Sequence, residues 1–207
     1  LNDVTVQGGS SAGISVATGS GTVNINRCLV YGATGNGVYV SGNSGTVNLD
    51  GCTLHGASGT NLAVYSSSSG TTLAVNLRNS VVTQGRYNIS RDYYYGGINV
   101  TYSDVWGATS SNYYSPYGVT PSAGTGTFSL NPLYVGAGTN FRLTSNSPAR
   151  NAGSAGADIG ALPYTTDATP GLYGTLWTNT RLTMAGSPYT VAGDLTVGRG
   201  VTLTIDP

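Results

Sequence analysis

Short runs in which Val, Ile, Leu or Tyr take alternate positions recur along this chain, separated by Gly, Asn, Ser and Thr. A period of two is that of strands with one buried face. The runs also repeat one another. Gly21–Gly32 (GTVNINRCLVYG) returns 24 residues later as Gly45–Gly56 (GTVNLDGCTLHG). A third copy is Leu73–Gln84 (LAVNLRNSVVTQ), 28 residues further on, and a fourth is Gly97–Gly107. Leu1–Gly8 aligns backwards with Ile25–Gly32. A second repeating strand lies between the copies, as Gly13–Val16, Gly37–Val40 and Asn61–Val64.

A repeat of 20–30 residues with two or three short strands is too small to hold a core of its own. Stacked at about 4.8 Å, such rungs pair each strand in parallel with the next copy. The chain is therefore predicted to be an all-β solenoid. Alternation points Val23, Ile25, Cys28 and Val30 inward, and Thr22, Asn24, Leu29 and Tyr31 outward. The turn after Ile25 reads Asn26-Arg27, Asp50-Gly51, Arg78-Asn79 and Asn2-Asp3 in successive copies. Gly, Asn and Asp at its second position predict a left-handed or bridge conformation. Arg27 and Tyr102 at that position fit poorly. Residues 108–127 read as an irregular excursion.

Composition narrows the picture. Only 8% of the 207 residues are charged, every acid is Asp and every base is Arg. Lys and Glu, which favour helix surfaces, are absent, and Gly numbers 32; both facts argue against helices. The formal net charge of zero excludes a nucleic acid or anionic membrane held by bulk electrostatics. No apolar run is long enough for a membrane span. The chain starts without Met, as a processed or excerpted sequence would.

The C-terminal half carries a family resemblance. Asn131–Tyr134 (NPLY), Phe141–Leu143 (FRL), Ser147–Gly153 (SPARNAG) and Ala157–Ala161 (ADIGA) resemble the closing segment of secreted, pectate-lyase-like parallel β-helix proteins. Asn131 and Asn151 stand where that family usually has Asp, and Arg150 replaces an apolar residue. The resemblance implies a right-handed parallel β-helix of about five coils over residues 1–164; those departures argue against a metal or catalytic role for the segment, and no metal or cofactor is expected. Residues 165–171 then read as a linker. Residues 172–207 read as a C-terminal β appendage, the start of a further module, with Val191, Leu195, Val197, Val201, Leu203 and Ile205 on a new inner face. Neither end carries a cap, so the expected partners are adjacent modules or other copies stacked end to end.

The fold hosts enzymes, adhesins and stalks, so function must come from sites. Cys28 and Cys52 share an inward column on adjacent rungs. They read as buried free thiols or as a slightly distorted inter-rung disulfide. Hydrolysis of glycosides needs two carboxylates about 10 Å apart or closer, and no two Asp share an outward column. Arg86, Arg91 and Asp92, beside Tyr93–Tyr95, form the one dense charged cluster and the alternative catalytic candidate. No residue is otherwise assigned a catalytic role. His55, the single His, points outward in the column Gln7, Tyr31, His55, Thr83, Trp106. With Tyr39 on another sheet, Tyr31, His55 and Trp106 are candidate contacts for a glycan. Asn24, Asn48, Asn76 and Asn99 form an outward ladder, either structural or, with Thr22 and Thr46, an ice-binding array. Asn88-Ile-Ser90 and Asn99-Val-Thr101 match the glycosylation triplet.

The expected function is that of an extracellular, secreted or cell-surface structural solenoid, part of a larger protein or a filament, with a polysaccharide as a further partner. A polysaccharide lyase or glycoside hydrolase is the alternative.

Overall fold

The computed structural model describes residues 1–67, 70–92, 96–166 and 171–207. Three parallel sheets run side by side along one axis, with one strand from each rung in each sheet. Sheet I holds β1 (Thr5–Gln7), β4 (Leu29–Tyr31), β7 (Thr53–His55), β10 (Val81–Thr83) and β13 (Asp104–Trp106). Sheet II holds β2 (Ala12–Thr18), β5 (Asn36–Gly42), β8 (Thr60–Tyr65), β11 (Tyr87–Arg91) and β14 (Ser111–Tyr114). Sheet III holds β3 (Thr22–Asn26), β6 (Thr46–Asp50), β9 (Ala74–Arg78) and β12 (Gly97–Thr101). The chain is a parallel β-solenoid. Thr22 pairs with Thr46, Asn24 with Asn48 and Tyr31 with His55, the register that the 24-residue offset predicts. Ile25, Val30, Val47, Leu49, Leu54, Val75, Leu77, Val82 and Val105 fill the interior, each at most 1% exposed.

The turn leaving sheet III has positive φ in every rung, at Asp3, Arg27, Gly51, Asn79 and Tyr102. Arg27 and Tyr102, which fit the expectation poorly, adopt it at 50° and 47°. Stacking supplies the reason. Arg27 N donates to Asp50 O, Gly51 N to Arg78 O and Asn79 N to Thr101 O, so each turn is held in the shape of its neighbour. A second positive-φ turn follows sheet I, at Gly8, Gly32, Gly56, Gln84 and Gly107. Side chains repeat a device as well. Ser80 and Ser103 each donate to the carbonyl two residues back, and their hydroxyls accept from Cys52 N and Ser80 N of the neighbouring rung.

At the corner entering sheet II lies a buried asparagine ladder that the periodicity did not reveal. Asn61 Nδ2 donates to Asn88 Oδ1 and Asn88 Nδ2 to Asn112 Oδ1, both at 2.8 Å. Each Oδ1 also accepts a turn N–H, from Ala57, Gly85 and Ala108 respectively.

Residues 108–127 are less irregular than expected, because β14 lies within them and pairs with β11. Gly124 N then bonds Val100 O, and Tyr102 N bonds Thr125 O, laying the segment along β12. Beyond it come the antiparallel strands β15 (Tyr134–Gly136) and β16 (Asn140–Leu143). They and the turns that follow fold back over the outer face of sheet I. Val81, Leu143, Ala149 and Ile159 make a second small core there. Residues 172–207 add β17 (Leu172–Leu176), β18 (Thr180–Leu182), β19 (Val191–Val197) and β20 (Leu203–Ile205). β17 pairs with β19 and β18 with β20, again in parallel. Thr175 N donates to Asn146 O and Trp177 Nε1 to Ser147 O, both at 2.8 Å, which stacks these strands onto the closing segment. Of the anticipated inner face, Leu195, Val201 and Leu203 are half-buried, while Val191, Val197 and Ile205 are exposed.

Candidate functional site

The outward column of sheet I was expected to face solvent. The closing segment covers part of it: Thr83 is buried, Tyr31, His55 and Trp106 are half-buried, and Gln7 is exposed. Leu29, Thr53, Val81, Thr83 and Asp104 all point outward yet are buried. The Phe141 ring packs on Tyr31 at 5.0 Å and edge-on against His55 at 4.8 Å, and Tyr134 meets both Phe141 and His55. Gly160 N donates to Asn79 O and Ala161 N to Thr53 Oγ1, stitching the cover in place. Tyr31 packs on this cover and stays half-buried. Tyr39 remains half-buried on the outer face of sheet II, paired with Ala63, on a different sheet from the other aromatic candidates.

The cover leaves a cleft of about 420 Å³ where the sheet meets the β15–β16 hairpin. His55, Thr83, Gln84, Trp106, Asn131 and Tyr134 line it. His55 Nδ1 lies 2.9 Å from Thr83 Oγ1, which fixes the ring. Burial pushes the imidazole below its usual pKa, so it is neutral at physiological pH. Burial, which outweighs the approach of its hydroxyl to Thr83, keeps Tyr134 protonated. Sequence reasoning placed His55, Thr83 and Trp106 in one column but did not join Gln84, Asn131 or Tyr134 to them. One signal was present: Gln84 stands where the other rungs have Gly.

Asp104 lies beneath this cover. Its Oδ1 accepts from Leu130 N at 3.0 Å, and its Oδ2 is buried without a partner. Burial pushes its pKa up to about 8.

A second cleft, of about 450 Å³, brings together Arg27, Asp50 and Asp158. No common column predicts this pairing, because Asp158 comes from the closing segment. Both Asp158 oxygens accept backbone N–H groups, from Asn151 and Tyr164. Asp50 Oδ1 accepts from Asn79 Nδ2 at 2.8 Å, and Arg27 makes a bidentate pair with Asp3.

In the expected charged cluster each side chain has a local partner. Arg86 lies over the Tyr87 ring, Arg91 donates to Gly96 O and Val119 O, and Asp92 accepts from Ser90 Oγ. Among the described residues Asp92 makes no ion pair, and Tyr93–Tyr95 lie outside them. Cys28 and Cys52 are free, buried thiols, and burial pushes Cys52 up to about 12. In the outer ladder Asn48 Nδ2 donates to Asn24 Oδ1 and Asn76 Nδ2 to Asn48 Oδ1, while Asn99 is exposed on the same face. That face is a hollow bounded by Arg78 and Tyr102, and Ala74 and Gly97 replace Thr22 and Thr46 on the later rungs. Asn88 is fully buried with its amide engaged, so the folded chain offers no glycan attachment there.

No helix in the described residues is long and apolar enough to cross a membrane. No family model matches the chain, and no curated protein or solved structure matches it.

Proposed function

We propose that the protein is a structural β-solenoid of the cell exterior, a stalk, surface or filament segment, rather than an enzyme. The observation that carries this reading is the use of its carboxylates. Asp3, Asp50, Asp92, Asp104, Asp158 and Asp206 each bind a backbone or side-chain group of their own fold. A catalytic pair needs carboxyl oxygens open to substrate and to water. The near-zero net charge removes repulsion between copies.

Incubation of the full chain with pectin, alginate and xylan should yield no new reducing or unsaturated ends. Light scattering should show particle mass rising with protein concentration, with end-to-end rods by electron microscopy. A strictly monomeric particle would count against the filament form. One observation favours the second reading, a hydrolase or lyase: Asp50 and Asp158 share a cleft. Product formation abolished by Asp158→Asn, with the fold intact, would establish that reading and end the structural one.

A further inference from the structure

The cleft beside His55 differs from the other clefts described in having no charged residue in its lining. Its polar lining is made of amides, hydroxyls and one neutral imidazole, and none of its lining residues is Asp or Arg. His55, Thr83 and Trp106 come from the same column of three successive rungs. They make a row about 10 Å long at the strand spacing of a sheet. His55 Nδ1 is held by Thr83, and Nε2 has no partner among the described residues. The volume lies within the range of about 300–1,000 Å³ usual for small-molecule pockets.

Gln84 supplies the independent observation. The turn after sheet I has Gly at this position in the other four rungs, and here a Gln at φ 60°. Its left-handed backbone is held by the next rung, as at Arg27 and Tyr102, through Gln84 N donating to Trp106 O. Gln84 is exposed, and its amide fills the space over Gly107, where a Cβ would come within 2.8 Å of Nε2. The turn itself does not require Gln. The cleft rim is where its amide has a use.

We propose that this cleft binds one residue of an uncharged polysaccharide. Such a sugar presents an apolar C–H face, which the Trp106 ring can cover. It also presents hydroxyls that donate and accept, as the amides of Gln84 and Asn131 do. His55 Nε2 adds one further contact. A uronic acid, by contrast, would bring a carboxylate to a lining with no cation to receive it. This inference does not rest on the structural reading, since a stalk holds its shape whether or not the cleft is filled.

The test uses the full chain and, as probes, cellohexaose, xylohexaose, mannohexaose and agarohexaose, with tetragalacturonate as the charged control. Binding is followed by calorimetry. At least one neutral probe should bind, and tetragalacturonate should not. Gln84→Gly, which gives the turn the residue of the other rungs, should weaken binding about tenfold, as expected for one lost hydrogen bond. Its melting temperature should not fall. Trp106→Ala should weaken binding at least as much. The proposal is overturned if no neutral probe binds, if tetragalacturonate binds best, or if affinity survives Gln84→Gly and Trp106→Ala.

Discussion

Sheets I and III share the same backbone plan, one parallel strand per rung, yet their outer faces meet opposite fates. Sheet III shows solvent a row of asparagines, Asn24, Asn48, Asn76 and Asn99, flanked by threonines on the first rungs. Sheet I shows Leu29, Thr53, Val81 and Asp104 in one column and Tyr31, His55, Thr83 and Trp106 in the next. The first face satisfies itself along the axis and needs no cover. The second carries apolar surface whose burial is worth about 25 cal/mol per Å², and residues 128–164 fold over it. The outward positions of a solenoid thus decide which side later chain will occupy.

The sharpest way to break the contrast is to remove the keystone of the covered face. Phe141→Ala deletes a ring that touches Tyr31, His55 and Tyr134. It should cost about 3–5 kcal/mol, as large aromatic truncations in cores do. Urea denaturation measures this, and a loss under about 1 kcal/mol would mean that the cover is not held by packing.

Asp104 tests the same face from the opposite direction. In the folded chain it keeps its proton up to a pH of about 8, against an ordinary 3.8. The folded state therefore binds the proton more tightly than the unfolded state. Its burial costs nothing below pH 3.8, progressively more as the pH rises toward about 8, and a constant amount above that. Asp104→Asn should accordingly stabilise the protein at pH 8 by a few kcal/mol, with the gain vanishing near pH 4. Thermal melts of both proteins across that range check the slope, and a gain independent of pH would refute the assignment.

The two asparagine ladders give the smallest contrast. Asn88→Ala strands the Gly85 N–H and breaks the bonds with Asn61 and Asn112. It should cost about 2–3 kcal/mol, since buried partners are left unsatisfied. Asn48→Ala, on the open face, should cost about 0.5–1 kcal/mol because water replaces the lost bonds. Equal losses in chemical denaturation would erase the distinction between the two ladders.

The solenoid itself was legible in the sequence, down to the pairing of Val23 with Val47 and Tyr31 with His55. Rung-to-rung pairing follows directly from a repeat, and alternation fixes the faces. What lay outside the repeat was not legible. Leu29 and Val81, apolar at outward positions, hinted at a cover. Phe141 and Leu143, alternating in the closing segment, hinted at what would supply it. No periodicity connects the two, so the long-range contact stayed hidden, and Tyr31 looked like a surface ring. The same gap concealed the meeting of Asp50 with Asp158. The burial of Asn88 was hidden for another reason. A glycosylation triplet is local, whereas its burial depends on Asn61 and Asn112, 27 and 24 residues away.

The corner entering sheet II bears on how the chain finds its register. A core of alternating Val, Leu and Ile looks much the same one rung up or down, so apolar packing alone gives little protection against a whole-rung slip. The corner column reads Gly13, Gly37, Asn61, Asn88, Asn112 from the first rung to the fifth. At Gly37 a Cβ would come within 2.6 Å of Asn61 O, so that place admits no side chain. Sliding the chain by one rung would set an asparagine where only glycine fits, or leave a buried amide facing nothing. The column works as an address, telling otherwise interchangeable coils which neighbour is theirs.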